Sequence, residues 1–174
     1  MNNPVLNAIS ERRSIRAYRK QPVTKEQFDV LLKAARESPS ARNAQPWHFS
    51  VVQNPAIFAE INAEAAKNLN KDVGDIFYGA PAAIFLSCET GSRWGRTDCG
   101  IAVQTIALAA HSTGLGSVIL GMPEAAFAGP NGNRLNKLLK FPDSYTYAVA
   151  IALGVPAGTK EAHSLEPGRV DFID

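Results

Sequence analysis

The stretch that most constrains this chain is residues 98–121, DCGIAVQTIALAAHSTGLGSVILG. Ile101, Val103, Ile106, Ala107, Leu108 and Ala110 make it apolar around most of a helical circumference, the pattern of a helix buried on several sides. Asp98 is the expected N-cap and Gly114 the expected C-cap, so the helix is predicted over 99–113. Residues 117–120 then form a short apolar strand ended by Gly121. A glycine at a strand end lets another molecule approach the backbone closely, although Gly114, Gly116 and Gly121 are equally readable as turn residues alone.

A buried helix needs a domain around it. The 174 residues suffice for one, spanning 1–174, that buries roughly two thirds or more of its unfolded surface. With 45% hydrophobic and 20% charged residues and no repeat, the composition is that of an ordinary soluble globular protein. No window approaches the roughly 18 consecutive apolar residues of a membrane span, and no signal-type run opens the sequence. A cytoplasmic protein without membrane contact is therefore expected. Cys88 and Cys99 lack metal-ligand spacing and are expected as small buried hydrophobes rather than a disulfide.

The net charge of +2 is unevenly placed: Arg12, Arg13, Arg16, Arg19 and Lys20 cluster with no acid among them. The remaining 13 basic and 16 acidic side chains leave the body at −3. A local cationic patch on an acidic body favours a small anionic ligand over a nucleic-acid track, which needs a broader basic face.

Before the central helix, Asn3 and Pro4 open a helix that ends near Arg12, and Thr24 with Gln27 forms a capping box for a second that ends near Glu37. Residues 38–49, SPSARNAQPWHF, read as a surface loop leading into a strand over 47–53 with Trp47, Phe49 and Val51 on one face. Asn54 and Pro55 start a third helix, 68–78 is ambiguous, 82–88 is a buried strand and 89–97 a loop. After Gly121, a turn over 128–133 and a helix over 134–140 precede a strand over 145–153 with Tyr147, Val149 and Ile151 alternating. The tail, with Pro156, Gly158, Pro167 and Gly168, is expected to be extended. Strands and helices without strict βαβ alternation indicate an α+β sandwich.

The residues exclude several chemistries. There is no GxGxxG after a strand, Walker lysine, HExxH or GxSxG, and His48, His111 and His163 have no acid partners at ligand spacing, so each is expected as an ordinary residue and metal ligands as none. What remains is a helix end with Arg12, Arg13, Ser14 and Arg16, a polar loop with Ser40, Asn43 and Gln45, and Gly121. Guanidinium and hydroxyl groups suit a phosphate and side-chain amides suit the edge of a heteroaromatic ring, so a phosphorylated heterocycle satisfies all three. The basic cluster alone can also be read as a solvated face.

The segments RRSIRAY (12–18) and SPSARNAQPWHF (38–49), with the helix, turn and strand of 98–121, resemble the nitroreductase family of FMN-dependent enzymes, in the same order over nearly the whole chain. The resemblance implies an α+β sandwich with a mostly antiparallel central sheet flanked by helices, in an interlocked homodimer with FMN at the interface. It implies that Arg12, Arg13, Ser14 and Arg16 hold the FMN phosphate and the ring's polar edge, and that Ser40, Arg42 and Asn43 approach the flavin of the partner subunit, with Arg42 toward the substrate; Gln45 of the same loop remains a candidate for the flavin through its side-chain amide. Gly121 would offer its N–H to flavin N5, with no side chain as catalytic acid or base. The implied activity passes two electrons from NADH or NADPH to a nitroaromatic, quinone or related small-molecule acceptor by a ping-pong route; a flavin-sequestering protein of the same fold is the alternative.

Three departures stand out. Asp72 and Asp75 occupy positions where larger members carry Asn and Lys. The segment before the central helix is short, so a substrate lid would be small. The closing Lys-x-Arg phosphate motif is absent, leaving Lys160, His163 and Arg169 as candidate cations, of which Arg169, permanently charged and bidentate, is preferred.

Overall fold

The computed structural model describes residues 3–166 and 168–173. Pro167, expected to help keep the tail extended, lies outside them.

The N-terminal helices begin where the capping pattern predicts. Helix α1 (Pro4–Glu11) is capped by Asn3, whose side chain accepts the N–H groups of Val5 and Leu6, and α2 (Lys25–Arg36) by the reciprocal Thr24–Gln27 box. Strand β1 (Trp47–Val52) follows the 38–46 loop, and α3 (Pro55–Leu69) is capped by Asn54. The ambiguous stretch resolves into the end of α3, closed by left-handed Asn70, and a turn held by Asp75. Its carboxylate accepts the N–H groups of Phe77 and Gly79 and an amide N–H of Asn62. Then come β2 (Ala82–Glu89), α4 (Gly95–Ser112), β3 (Gly116–Leu120), α5 (Glu124–Phe127), α6 (Gly132–Leu138) and β4 (Tyr145–Gly154). The turn of α5 was not anticipated, and α6 starts two residues before its expected position.

The sheet runs β1-β2-β4-β3, antiparallel throughout. The central strand β2 is buried on both faces. Ala83 and Phe85 join Ile61, Phe77 and Leu135 beneath α3 and α6, while Ile84 and Leu86 join Leu31 and Ile106 beneath α2 and α4. This is the expected α+β sandwich.

Two expectations need correction. Leu86 pairs with Val149 but Ser87 pairs with Tyr147, so Ala148 is an extra residue in β4. The bulge reverses the side-chain parity: Val149, Ile151 and Leu153 face α4, whereas Tyr147 turns into the opposite core and donates to the Leu120 carbonyl at 3.1 Å. Alternation across Tyr147 and Val149 therefore does not describe one face. The second concerns α4, which starts at Gly95, four residues before the expected Cys99. A Cβ at Gly95 would lie 2.9 Å from the Cys88 Cβ, so only glycine lets this first turn rest on the end of β2. Asp98 is thus not an N-cap. Its N–H donates to the Trp94 carbonyl at 2.8 Å within the helix, and the residue is 3% exposed. The C-terminal end is as predicted, with Gly114 at φ +80° and the Leu115 N–H returning to the Ala110 carbonyl at 2.8 Å.

Candidate functional site

Residues 12–20 leave α1 and pair first with the start of β3, at the open edge of the sheet, and then with the chain just beyond β4. Ser14 bridges Ser117 in parallel, the Ile15 N–H donates to the Ser117 carbonyl at 2.9 Å, and the Arg19 N–H donates to the Val155 carbonyl at 2.9 Å. Ile15 sits so close to Gly116 that a Cβ there would lie 3.0 Å from the Ile15 Cγ2. Ser14 is thereby seated at the start of β3, the strand whose far end leads to Gly121, with Arg12, Arg13 and Arg16 on either side of it in the strap. Gly121 is exposed, and a Cβ on it would meet no atom within 4 Å.

The four residues are not equivalent. The Arg13 guanidinium donates to the carbonyls of Ser10 (2.6 Å) and Arg12 (2.9 Å), closing the end of α1. The Arg12 Nε is buried and has no hydrogen-bond partner. Arg16 lies over the Tyr78 ring, 5.6 Å from its centroid, on a residue held at φ +58°. Lys160 joins them: with Arg12 and Arg13 it lines a cleft of about 410 Å³ that also touches His111 and Gly114, and with Ser14 and Arg16 a smaller one of about 240 Å³. The tail is held there by the Ala157 N–H on the Ala17 carbonyl at 2.9 Å. Arg169 is exposed and lines neither cleft.

The polar loop stands apart from this strap. Arg42, Asn43 and Gln45 all have positive φ (56°, 55° and 47°), a conformation costing non-glycine residues about 1 kcal/mol or more each. Ser40 Oγ accepts the Gln45 N–H at 3.0 Å, the Gln45 side chain donates to Asn43 Oδ1 at 3.1 Å, and the Ala41 N–H donates to Asp98 Oδ1 at 3.2 Å. Asp98, buried in the first turns of α4, anchors the loop. With His111 marking the strap's end of the helix, 13 residues at about 1.5 Å each separate the two clusters by roughly 20 Å along α4.

Tyr78 and the loop-holding role of Asp98 escaped the sequence reading. Nothing local marks Tyr78; for Asp98 the signal is an acid in an otherwise apolar helix, a pattern that a helix cap shares. Burial, aided by the adjacent Cys88, pushes the Cys99 thiol up to about 12, in keeping with an inert core cysteine. Among the described residues no group of three or more His, Cys, Asp or Glu could hold a metal ion, and no helix is long and apolar enough to cross a membrane.

An antiparallel sheet between two helical layers, with guanidinium groups gathered at the start of one edge strand and an exposed glycine at its far end, defines an α+β sandwich suited to a phosphorylated ligand rather than an open-sheet nucleotide fold. Residues 9–155 match the sequence model of the nitroreductase family, and the chain belongs to that family of oxidoreductases. It is 36% identical, over 98% of its length and 83% of the relative's, to a Methanothermobacter thermautotrophicus protein provisionally named NADH dehydrogenase/NAD(P)H nitroreductase. It is 28% identical to the FMN reductase [NAD(P)H] of Bacillus subtilis, over 89% of this chain and 67% of that one. Among solved structures, a Desulfitobacterium hafniense nitroreductase with bound FMN superposes with a TM-score of 0.92 at 31% identity, covering all of both chains.

Proposed function

We propose that the chain is an FMN-dependent oxidoreductase, active as a homodimer, that takes two electrons from NADH or NADPH and delivers them to nitroaromatic, quinone or related acceptors in two alternating half-reactions. The observation that carries the reading is the cationic strap seated on the start of β3, the strand that ends before Gly121, with the Arg12 Nε buried and lacking a partner. A buried N–H donor without an acceptor is unfavourable, and a phosphate oxygen supplies one. The open backbone at Gly121 leaves room for a ring where a side chain would intrude.

In this reading Arg12, Ser14 and Lys160 hold the phosphate, Arg16 the polar edge of the ring, and Gly121 offers its backbone N–H to the reactive edge. Arg13, turned back onto α1, contributes charge. Bound FMN supplies a two-electron carrier that the protein positions and tunes. The loop residues Ser40, Asn43 and Gln45, with Arg42 toward the acceptor, act across the dimer. A two-fold pairing would bring the loop of one protomer to the flavin of its partner. The outer faces support it: Val5, Leu6 and Ile9 of α1 are 63%, 51% and 51% exposed, and Ile101 of α4 is exposed as well.

The test is direct. Purified protein should show a flavin absorbance spectrum and consume NAD(P)H with menadione or nitrofurazone. A flavin-loaded protein without turnover is a flavin-sequestering one, and a colourless protein that takes up no FMN overturns the cofactor assignment.

A further inference from the structure

We infer that the pocket between the 40–45 loop and the start of α4 is an acceptor subsite for small aromatic acids that also carry an N–H or O–H donor. The inference rests on the flavin reading above, in which Arg42 lies on the acceptor side. The pocket measures about 250 Å³ and is lined by Arg42, Ser92, Arg93, Trp94 and Asp98 among others, a size suited to a single substituted ring rather than a dinucleotide.

Three features define what it takes. The Arg42 and Arg93 guanidinium groups are exposed, and among the described residues neither forms an ion pair, so both are available to an anion. The Arg93 guanidinium also lies over the Trp94 ring, 5.0 Å from its centroid, so charge and aromatic surface adjoin and can meet an arene bearing a carboxylate. Finally, Asp98 is 3% exposed and only its Oδ1 is engaged, by the Ala41 N–H; Oδ2 is buried without a partner. Two guanidinium groups outnumber this carboxylate, which keeps the pocket cationic, but the unpaired oxygen disfavours a ligand made only of acceptors. An amino or hydroxyl substituent would satisfy it.

The probes are 4-amino-3-nitrobenzoate, its neutral analogue 4-amino-3-nitrobenzamide, and 3-nitrobenzoate, which lacks the donor. Calorimetric titration of FMN-loaded protein should show the amino acid binding about tenfold tighter than either other probe, with the preference over the amide shrinking at high salt. Arg93→Ala should bring the acid-to-amide ratio close to one. The ratio of kcat/KM values should follow, each turnover oxidising one NADH and, with one further proton, converting the nitro group to nitroso with release of water. Equal binding of acid and amide by the parent protein, or a ratio untouched by Arg93→Ala, overturns the subsite while leaving the flavin reading intact. A protein that takes up no FMN overturns both.

Discussion

At Gly121 the fold itself does not require glycine: the residue has no left-handed φ and a Cβ would stand in open space. Gly121→Ala is therefore expected to leave the thermal midpoint of FMN-free protein unchanged while lowering FMN affinity several-fold; an equal effect on both would make the glycine a folding residue. Arg12 differs, being half-buried with an unpaired Nε. Arg12→Ala should weaken FMN binding by about 1–3 kcal/mol, measured by fluorescence titration, with hydride transfer in FMN-saturated protein less affected. The tail cations separate cleanly. Lys160→Ala should lower FMN affinity and Arg169→Ala should not, because only Lys160 lines the clefts of the strap; the reverse result would restore the sequence-based preference for Arg169. Cys99 bears on pH. Its folded thiol is raised to about 12 from an ordinary value of 9.0, first by burial, so the folded state holds its proton longer than the unfolded state does. That contribution is complete below about pH 9 and is lost as pH rises toward 12. Denaturant midpoints should fall across this window, less steeply in Cys99→Ala.

Among the elements, the union of the strap with β3 decides whether the site exists. Gly116 admits Ile15 at a distance that any larger residue would close, so Gly116→Val should push the strap from the sheet. The expected cost is about 1–3 kcal/mol of stability, with a matching loss of FMN affinity; retained affinity would show that the strap binds without its seat on β3. The capped helices were legible because their caps are local: an Asn or Thr beside its own helix start needs no distant partner. Helix α4 and strand β4 were misjudged for the opposite reason. The start of α4 depends on Gly95 packing on Cys88 across the turn after β2, and the parity of β4 depends on a bulge set by the distant β2; neither contact is encoded in the local residue pattern.

For the whole molecule, the proposed sharing of the flavin between protomers would make assembly part of the chemistry. Light scattering should give a dimer at micromolar concentration, and a flavin-loaded monomer would end the shared-site proposal. The tail carries Leu165, Val170, Phe172 and Ile173 at 86%, 72%, 90% and 95% exposure, apolar surface suited to a partner subunit. Truncation after Pro156 is accordingly expected to dissociate the dimer, whereas Arg169→Ala should spare it. The sequence by itself determined the sandwich class, the capped helices, the family and the strap and loop motifs, since each is written in local periodicity, turn chemistry or contiguous residues. Only the tertiary structure decided that Asp98 holds the loop instead of capping a helix, that Lys160 and Tyr78 join the strap, and that the two motifs occupy opposite ends of α4. Those facts are distances between residues remote in sequence, set by packing against the sheet and invisible to any local pattern.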